Sequence, residues 1–320
     1  MKDIEDMFDE KKLKKSVKKA KIKSAIRIAI IAIGVFVIGG LLNIIISLKL
    51  SAINFERMET NVKLSMPNGY ISYSNDIVGF LGGSGRYKIS KEIGGKSVVL
   101  SDRDVLFGLI PPMNYFRSRS GAYHNAGEWP VSLWESGYKR LRFFHPELEY
   151  KKYQNDLENI DDITDGKVIE MAISFDKPYK VDDIYSITST LEPADIKWIW
   201  LNEFTEEFID EYKYAIDNYD AEANGINEGE AIGISVRDIS TFSKTSYDSY
   251  YDELIDNLKK SGSSDYKKLY DEIMERGKTS VDDAEILGVV VQGTKEELKE
   301  LIGKPIIKAT SFGVVVDPLY

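Results

Sequence analysis

Ile28 to Leu48 reads IAIIAIGVFVIGGLLNIIISL, and this stretch decides the architecture. It holds 21 residues without a charge, and Asn43 and Ser47 are its polar side chains. At ~1.5 Å rise per residue a helix of this length spans ~31 Å, the thickness of a bilayer's hydrocarbon core. The β-branched run would suit a buried strand, but strands seldom exceed about ten residues. The flanks set the direction. Lys11, Lys12, Lys14, Lys15, Lys18, Lys19, Lys21, Lys23 and Arg27 precede the stretch, whereas Lys49, Arg57 and Lys63 are the cations of the next twenty residues. The positive-inside rule places residues 1–27 in the cytoplasm and the chain after residue 48 outside. A cleaved signal peptide has a shorter apolar region, ~7–15 residues, and a small-x-small cleavage site. Leu48-Lys49-Leu50-Ser51-Ala52 is a poor cleavage site. The reading is a retained single-pass anchor in the lipid bilayer of the cell membrane.

Gly34, Gly39, Gly40 and Asn43 lie inside this helix. Small residues let helix backbones approach, and an asparagine can hydrogen-bond across a helix pair. These four are candidates for packing in the membrane, although glycine is common in membrane helices for other reasons. In the cytoplasmic tail, Asp3, Glu5, Asp6, Asp9 and Glu10 come first and the lysines follow, an order that suits a helix macrodipole. Ile4, Met7 and Phe8 make a one-turn apolar patch, a candidate partner contact. The basic run would hold anionic lipid at about 1 kcal/mol per charge. The plainer reading of the tail is a topology signal with a frayed start.

Bulk composition agrees with a globular outer part. Of 320 residues, 43% are hydrophobic and 29% charged, and the length suggests two folded units. The net charge of −10 divides unevenly. Residues 1–48 carry 10 Lys+Arg against 5 Asp+Glu, and residues 49–320 carry 32 against 47. An outer part with net −15 is a poor partner for nucleic acid, whose phosphates need neutralising. The absence of cysteine excludes disulfides, thiolate catalysis and cysteine-based zinc sites.

Residues 49–165 read as a β-rich region. Residues 49–66 look like a stalk that becomes a first strand, followed by the turn Pro67-Asn68-Gly69. Strand candidates are Tyr70–Tyr73, Tyr87–Ser90 and Ser97–Leu100, with a glycine-rich bend from Gly79 to Gly85. Residues 113–150 are rich in aromatics, and Asn155–Gly166 looks like an acidic linker. Residues 166–320 read as an α+β domain. Strands are expected at Lys167–Phe175, Ile196–Phe204, Ala231–Asp238, Ala284–Gly293 and Pro305–Asp317. Helices are expected at Val181–Thr188, Thr205–Tyr219, Tyr247–Lys260, Asp265–Arg276 and Thr294–Ile302. Thr294 with Glu297 three residues later is a capping box. Two βαβ-like units thus bracket an insertion, which is the pattern of a ferredoxin-like core.

Motifs that carry chemistry are weak. Gly94-Gly95-Lys96-Ser97 imitates the end of a phosphate-binding loop, but Ser90 stands where that motif needs glycine. The two histidines, His124 and His145, fit no metal or hydrolase signature. Asp220-Ala221-Glu222-Ala223-Asn224-Gly225 approximates the start of a calcium loop, making Asp220, Glu222 and Asn224 a weak calcium candidate. Position 12 of that loop is Ala231, with Glu230 one residue early, so the expected form is an exposed acidic turn with Gly225 at positive φ. Tyr247, Tyr250, Tyr251 and Tyr266 are expected to serve packing. No catalytic set and no cofactor site is expected.

Several passages resemble the membrane-anchored sigma-factor regulators, or anti-sigma factors, of Gram-positive bacteria. They are Leu13-Lys14-Lys15 and Ala20-Lys21-Ile22-Lys23-Ser24 running into the helix; Pro67-Asn68-Gly69-Tyr70-Ile71; Gly79-Phe80-Leu81-Gly82-Gly83; and Ile173-Ser174-Phe175-Asp176-Lys177-Pro178-Tyr179. Ile196-Lys197-Trp198-Ile199-Trp200 and Ser311-Phe312-Gly313-Val314-Val315-Val316-Asp317-Pro318 resemble the family's closing strands. The resemblance implies a non-enzymatic regulator of an alternative, extracytoplasmic-function sigma factor, with an outer domain that senses an envelope condition. About 27 residues precede the helix, shorter than the segment with which such regulators generally hold a sigma factor. Two routes stay open: direct contact through Ile4, Met7 and Phe8, or a second membrane anti-sigma protein that holds the sigma factor. The other class of function is an envelope binding or assembly module without a transcriptional role.

Overall fold

The computed structural model describes residues 10–109, 134, 135, 137–218, 225–236 and 244–319. The chain divides into two compact units, the first holding the described residues of 1–53, 76–85 and 106–114, the second those of 54–75, 86–105 and 115–320.

Helix α1 runs from Glu10 to Ser65. The expected stalk and strand over residues 49–66 are therefore helix. Asn54, Met58 and Val62 recur every fourth residue and are all buried, which is a helical face. The helix stops where Pro67 removes a donor and Asn68 turns to φ 55°. A meander follows: β1 (Gly69–Val78), β2 (Gly82–Ile93) and β3 (Lys96–Gly108), in that order in one sheet. These strands contain the three short ones expected from the sequence. Gly94 and Gly95, at φ +55° and +77°, form the β2–β3 turn, so the phosphate-loop imitation is a hairpin turn.

Short pairs come next: β4 (Trp134–Glu135) with β5 (Tyr138–Lys139), and β6 (Arg142–Phe143) with β9 (Ile226–Asn227). The acidic stretch expected as a linker is instead a 3-10 segment, Asp156–Asp162, pinned to the sheet. Leu157 and Ile160, three apart, are buried, and the Leu157 amide donates to Thr310 Oγ1 at 3.0 Å. The Phe312 amide donates to Asp156 Oδ2 at 2.8 Å.

The central sheet contains β7 (Val168–Lys180), β8 (Asp195–Leu201), β10 (Gly233–Ser235), β11 (Glu285–Thr294) and β12 (Ile307–Val316), in the order β10-β8-β11-β7-β12. All neighbours are antiparallel. Helices α2 (Ile184–Leu191) and α6 (Lys295–Lys299) make the two crossovers. Counting the four principal strands in chain order, the sheet reads 4-1-3-2, the split βαβ arrangement of the ferredoxin-like core expected from the sequence. The insertion supplies α3 (Glu206–Asn218), edge strand β10, α4 (Lys244–Lys260) and α5 (Ser264–Glu275).

One register row shows how the core is built. Thr310 lies opposite Ile173, Ile173 opposite Val289, Val289 opposite Ile199 and Ile199 opposite Ile234. These side chains point to the face covered by α2, α4 and α5, where Ile187, Tyr251, Leu258 and Ile273 meet them. Their neighbours Ala172, Val290, Trp198 and Trp200 point to the other face, covered by β6 and α3 through Phe143, Phe204 and Phe208. Tyr247 and Tyr251 are in the first of these cores, and Tyr250 and Tyr266 pack against it. The capping box at α6 is present, with the Glu297 amide on Thr294 Oγ1 at 3.3 Å and the Thr294 amide on Glu297 Oε2 at 2.7 Å.

Candidate functional site

Among the described residues, three features invite a functional reading: the polar side chains inside the apolar stretch of α1, a cleft beside the end of that helix, and a buried ionic cluster. In the first unit, the charge-free stretch of α1 is long and apolar enough to cross a membrane, and its most apolar 18 residues are not buried inside the structure. A Cβ added at Gly34, Gly39 or Gly40 would meet no atom within 4 Å, so α1 has open space around it at each of these positions. Asn43 is engaged. Its Nδ2 donates to the Gly79 carbonyl at 2.9 Å, and its Oδ1 accepts from the Leu81 amide at 2.7 Å. One turn further, Ser47 Oγ donates to the same Gly79 carbonyl at 3.2 Å and accepts from the Gly82 amide at 3.1 Å. Ser51 completes the row with a hydrogen bond to Asp76. Asn43, Ser47 and Ser51 thus form an i, i+4, i+8 polar stripe that grips the β1–β2 turn.

In the second unit, the end of α1 is built into the hydrophobic core. Leu64 belongs to the main core with Ile199, Ile234 and Leu254, and Val62 packs with Met66, Ile89, Leu100 and Val314. Asn54 Nδ2 donates to the Tyr87 hydroxyl at 2.7 Å. A cleft of about 520 Å³ opens beside this end, lined by Lys63 and Leu64 of α1, Tyr70 of β1, Ile234 of β10 and Tyr250 and Glu253 of α4. Lys63 Nζ reaches Glu253 Oε1 across it at 3.0 Å.

A buried ionic cluster joins the meander to the ferredoxin-like sheet. Lys91 of β2 donates to Glu170 Oε1 of β7 at 3.0 Å and to Glu228 Oε2, just past β9, at 3.2 Å. All three side chains are essentially inaccessible. Glu228 also accepts from the Leu141 amide at 3.0 Å, and Glu170 from the Val314 amide at 3.2 Å. Burial opposes the charge on Lys91, but the pull of Glu170 and Glu228 outweighs it and raises the Lys91 pKa above its ordinary 10.5. These residues escaped the reading of the sequence, yet a signal was present. Lys91 shares strand parity with Ile89 and Ile93, and Glu170 stands inside the apolar run VIEMAISF.

Residues 160–314 match the family model described as sigma factor regulator C-terminal, and residues 14–98 match the one described as sigma factor regulator N-terminal. The chain belongs to the sigma factor regulator family. This family is a regulatory, non-enzymatic kind of protein, and the match supports a role in sigma-factor regulation and an interaction with a sigma factor. No curated protein and no solved structure matches the chain. Within this regulator, the Lys91–Glu170–Glu228 cluster joins a residue of the N-terminal family region to two residues of the C-terminal one.

The remaining sites expected from the sequence fall elsewhere. Ile4, Met7 and Phe8 lie outside the described residues, as do Asp220, Glu222, Asn224 and His124. Gly225 is described and is not at positive φ, contrary to expectation. A Cβ there would come within 2.8 Å of the Phe143 carbonyl, so the close pass against β6 explains the glycine. Glu230 accepts from the Asn227 amide at 3.1 Å and the Tyr212 hydroxyl at 2.8 Å. His145 is buried beside Trp200 and Phe204, with Nε2 at 3.2 Å from Asn202 Oδ1. That burial holds its pKa below the ordinary 6.5.

Proposed function

We propose that the chain senses an envelope condition through its outer domain and conveys it through α1 to an extracytoplasmic-function sigma factor, without catalysis. The N-terminus lies in the cytoplasm, the basic run rests on the inner leaflet, and the ferredoxin-like domain lies outside. One observation carries the reading. The helix that holds the membrane-length apolar stretch ends with Val62 and Leu64 among the core residues of the regulator region. The same helix thus contributes to both the apolar stretch and that core. On the cytoplasmic side, Ile4, Met7 and Phe8 contact the sigma factor, or α1 pairs with a second membrane anti-sigma protein where Gly34, Gly39 and Gly40 leave open space.

The test is a sigma-dependent reporter with full-length chain in its own membrane. Deleting residues 2–12 should change reporter output if contact is direct, and replacing Gly39 and Gly40 by leucine should do so if a second helix intervenes. If removing the whole chain alters no sigma regulon, the proposal fails.

A further inference from the structure

Asn43 and Ser47 sit inside the charge-free stretch, and Asn43 lies five residues before its end at Leu48, ~7.5 Å along the helix. Both hold the β1–β2 turn, so whatever surrounds α1 at that level also surrounds the turn. The turn is made for a medium without water. No charged residue occurs between Asp76 and Arg86, or between Asp104 and Arg117. Ile77, Val78, Leu106 and Leu109 present exposed apolar side chains, and Phe80 at the tip is 75% exposed. In water such a cluster is a liability, and in hydrocarbon it is solvated.

The backbone tells the same story. Irregular backbone at membrane depth is tolerated only where its polar groups find partners. Here the Gly79 amide donates to the Gly82 carbonyl at 2.6 Å, and the Leu109 amide to the Leu81 carbonyl at 2.9 Å. The Gly79 carbonyl and the Leu81 and Gly82 amides are satisfied by Asn43 and Ser47. Two polar side chains in an apolar helix thus supply hydrogen bonds to Gly79, Leu81 and Gly82 of a neighbouring loop.

We propose that this turn, with the adjoining end of β3, dips into the outer leaflet beside α1, with Phe80 deepest, and that Asn43 and Ser47 serve to satisfy its backbone there. The occupant of the exposed apolar surface is lipid. The inference rests on the reading that α1 crosses the membrane, and the experiment separates the two.

The chain has no cysteine, so Phe36→Cys, Phe80→Cys, Leu109→Cys and Lys152→Cys can each carry one nitroxide label without background. Full-length protein is placed in phosphatidylcholine–phosphatidylglycerol nanodiscs, and relaxation by oxygen and by a water-soluble nickel chelate is read by electron paramagnetic resonance. The expected result is oxygen relaxation with loss of nickel relaxation at 80 and 109, as at 36, while 152 stays nickel-accessible. Nickel relaxation at 80 and 109 with 36 shielded overturns this inference and leaves the membrane span standing. Nickel relaxation at 36 overturns the span and the inference together. Shielding of 80 and 109 from both reagents means protein rather than lipid covers the turn, and also overturns it. Asn43→Ala with Ser47→Ala should restore nickel relaxation at 80; unchanged shielding overturns the role given to those two side chains.

Discussion

Replacing Asn43 by leucine isolates the grip of α1 on the hairpin turn. The substitution keeps the helix apolar and similar in volume, and removes one acceptor and one donor. The two losses are unequal. The Gly79 carbonyl keeps Ser47 Oγ at 3.2 Å, whereas the Leu81 amide loses the Asn43 oxygen that it meets at 2.7 Å. Leaving a donor without a partner away from water costs ~1–3 kcal/mol, so with the turn in the outer leaflet, as proposed, its closed form should lose about that much against its open form. Because ~1.4 kcal/mol is a factor of ten, opening should become roughly 5- to 150-fold more frequent. Amide hydrogen exchange in nanodiscs reads this directly, with peptides spanning residues 77–83 compared against peptides from β7 and β11. Exchange should accelerate in the turn and stay unchanged in the sheet, and adding Ser47→Ala should accelerate it further, since the Gly79 carbonyl and the Gly82 amide then lose their partner too. Unchanged exchange over residues 77–83 in the double variant would refute the idea that α1 holds this turn.

Further outcomes follow from the second unit. Lys91→Met leaves Glu170 buried without its cation, while Glu228 keeps Arg140 with Nε at 3.5 Å, and should destabilise the domain by up to ~3–5 kcal/mol, seen as a lower melting midpoint. Because the Lys91 pKa is raised, its stabilisation is fully present below 10.5 and is lost as pH climbs through the raised value; Lys91→Met should flatten that alkaline limb. His145 is held below 6.5, so its neutral form belongs to the folded state; its stabilisation is present above 6.5 and is lost as pH falls through the depressed value, and melts of His145→Gln should vary less between neutral and mildly acidic pH. Thr294→Ala removes the acceptor of the α6 capping box and should cost about 1 kcal/mol by denaturant titration, with no change in sigma-reporter output.

The parts of this fold that local patterns govern were legible in the sequence. Charge-free length gave the membrane stretch, and the alternation of strand and helix gave the ferredoxin-like core, whose 4-1-3-2 order the structure supplies. What escaped was written in a second periodicity laid over a stronger one. Residues 49–66 mix polar and apolar residues, but Asn54, Met58 and Val62 keep the four-residue spacing that continues α1. In Asn155–Gly166 the acidic composition masks Leu157 and Ile160, three residues apart, which turn a supposed linker into a segment docked on β12. The grip on the hairpin was half visible. Asn43 and Ser47, four apart in an apolar helix, announce a polar face, but their partner lies 32 to 38 residues downstream and local pattern does not name it. The ionic cluster joins residues as far as 137 apart and needed the tertiary structure.

The way α1 enters the core of the second unit limits how it can move. Met58, Val62 and Leu64 are at most 8% exposed. Sliding the helix out of this core would expose them at ~1.5–3 kcal/mol each, together ~5–9 kcal/mol. Moving a two-state equilibrium from 1:99 to 99:1 by binding takes a differential affinity of ~5.5 kcal/mol. A ligand in the cleft beside Lys63 and Tyr250 would have to spend all of that and more to draw α1 through its own domain. The exposed Lys63–Glu253 pair, worth ~0–1 kcal/mol, neither prevents nor drives such a motion. We infer that the end of α1 moves with the core of the second unit as one body rather than as a piston within it. Stimuli that alter the partners or association of that domain can then act on the helix at low cost, whereas those that must repack the core around Val62 and Leu64 cannot.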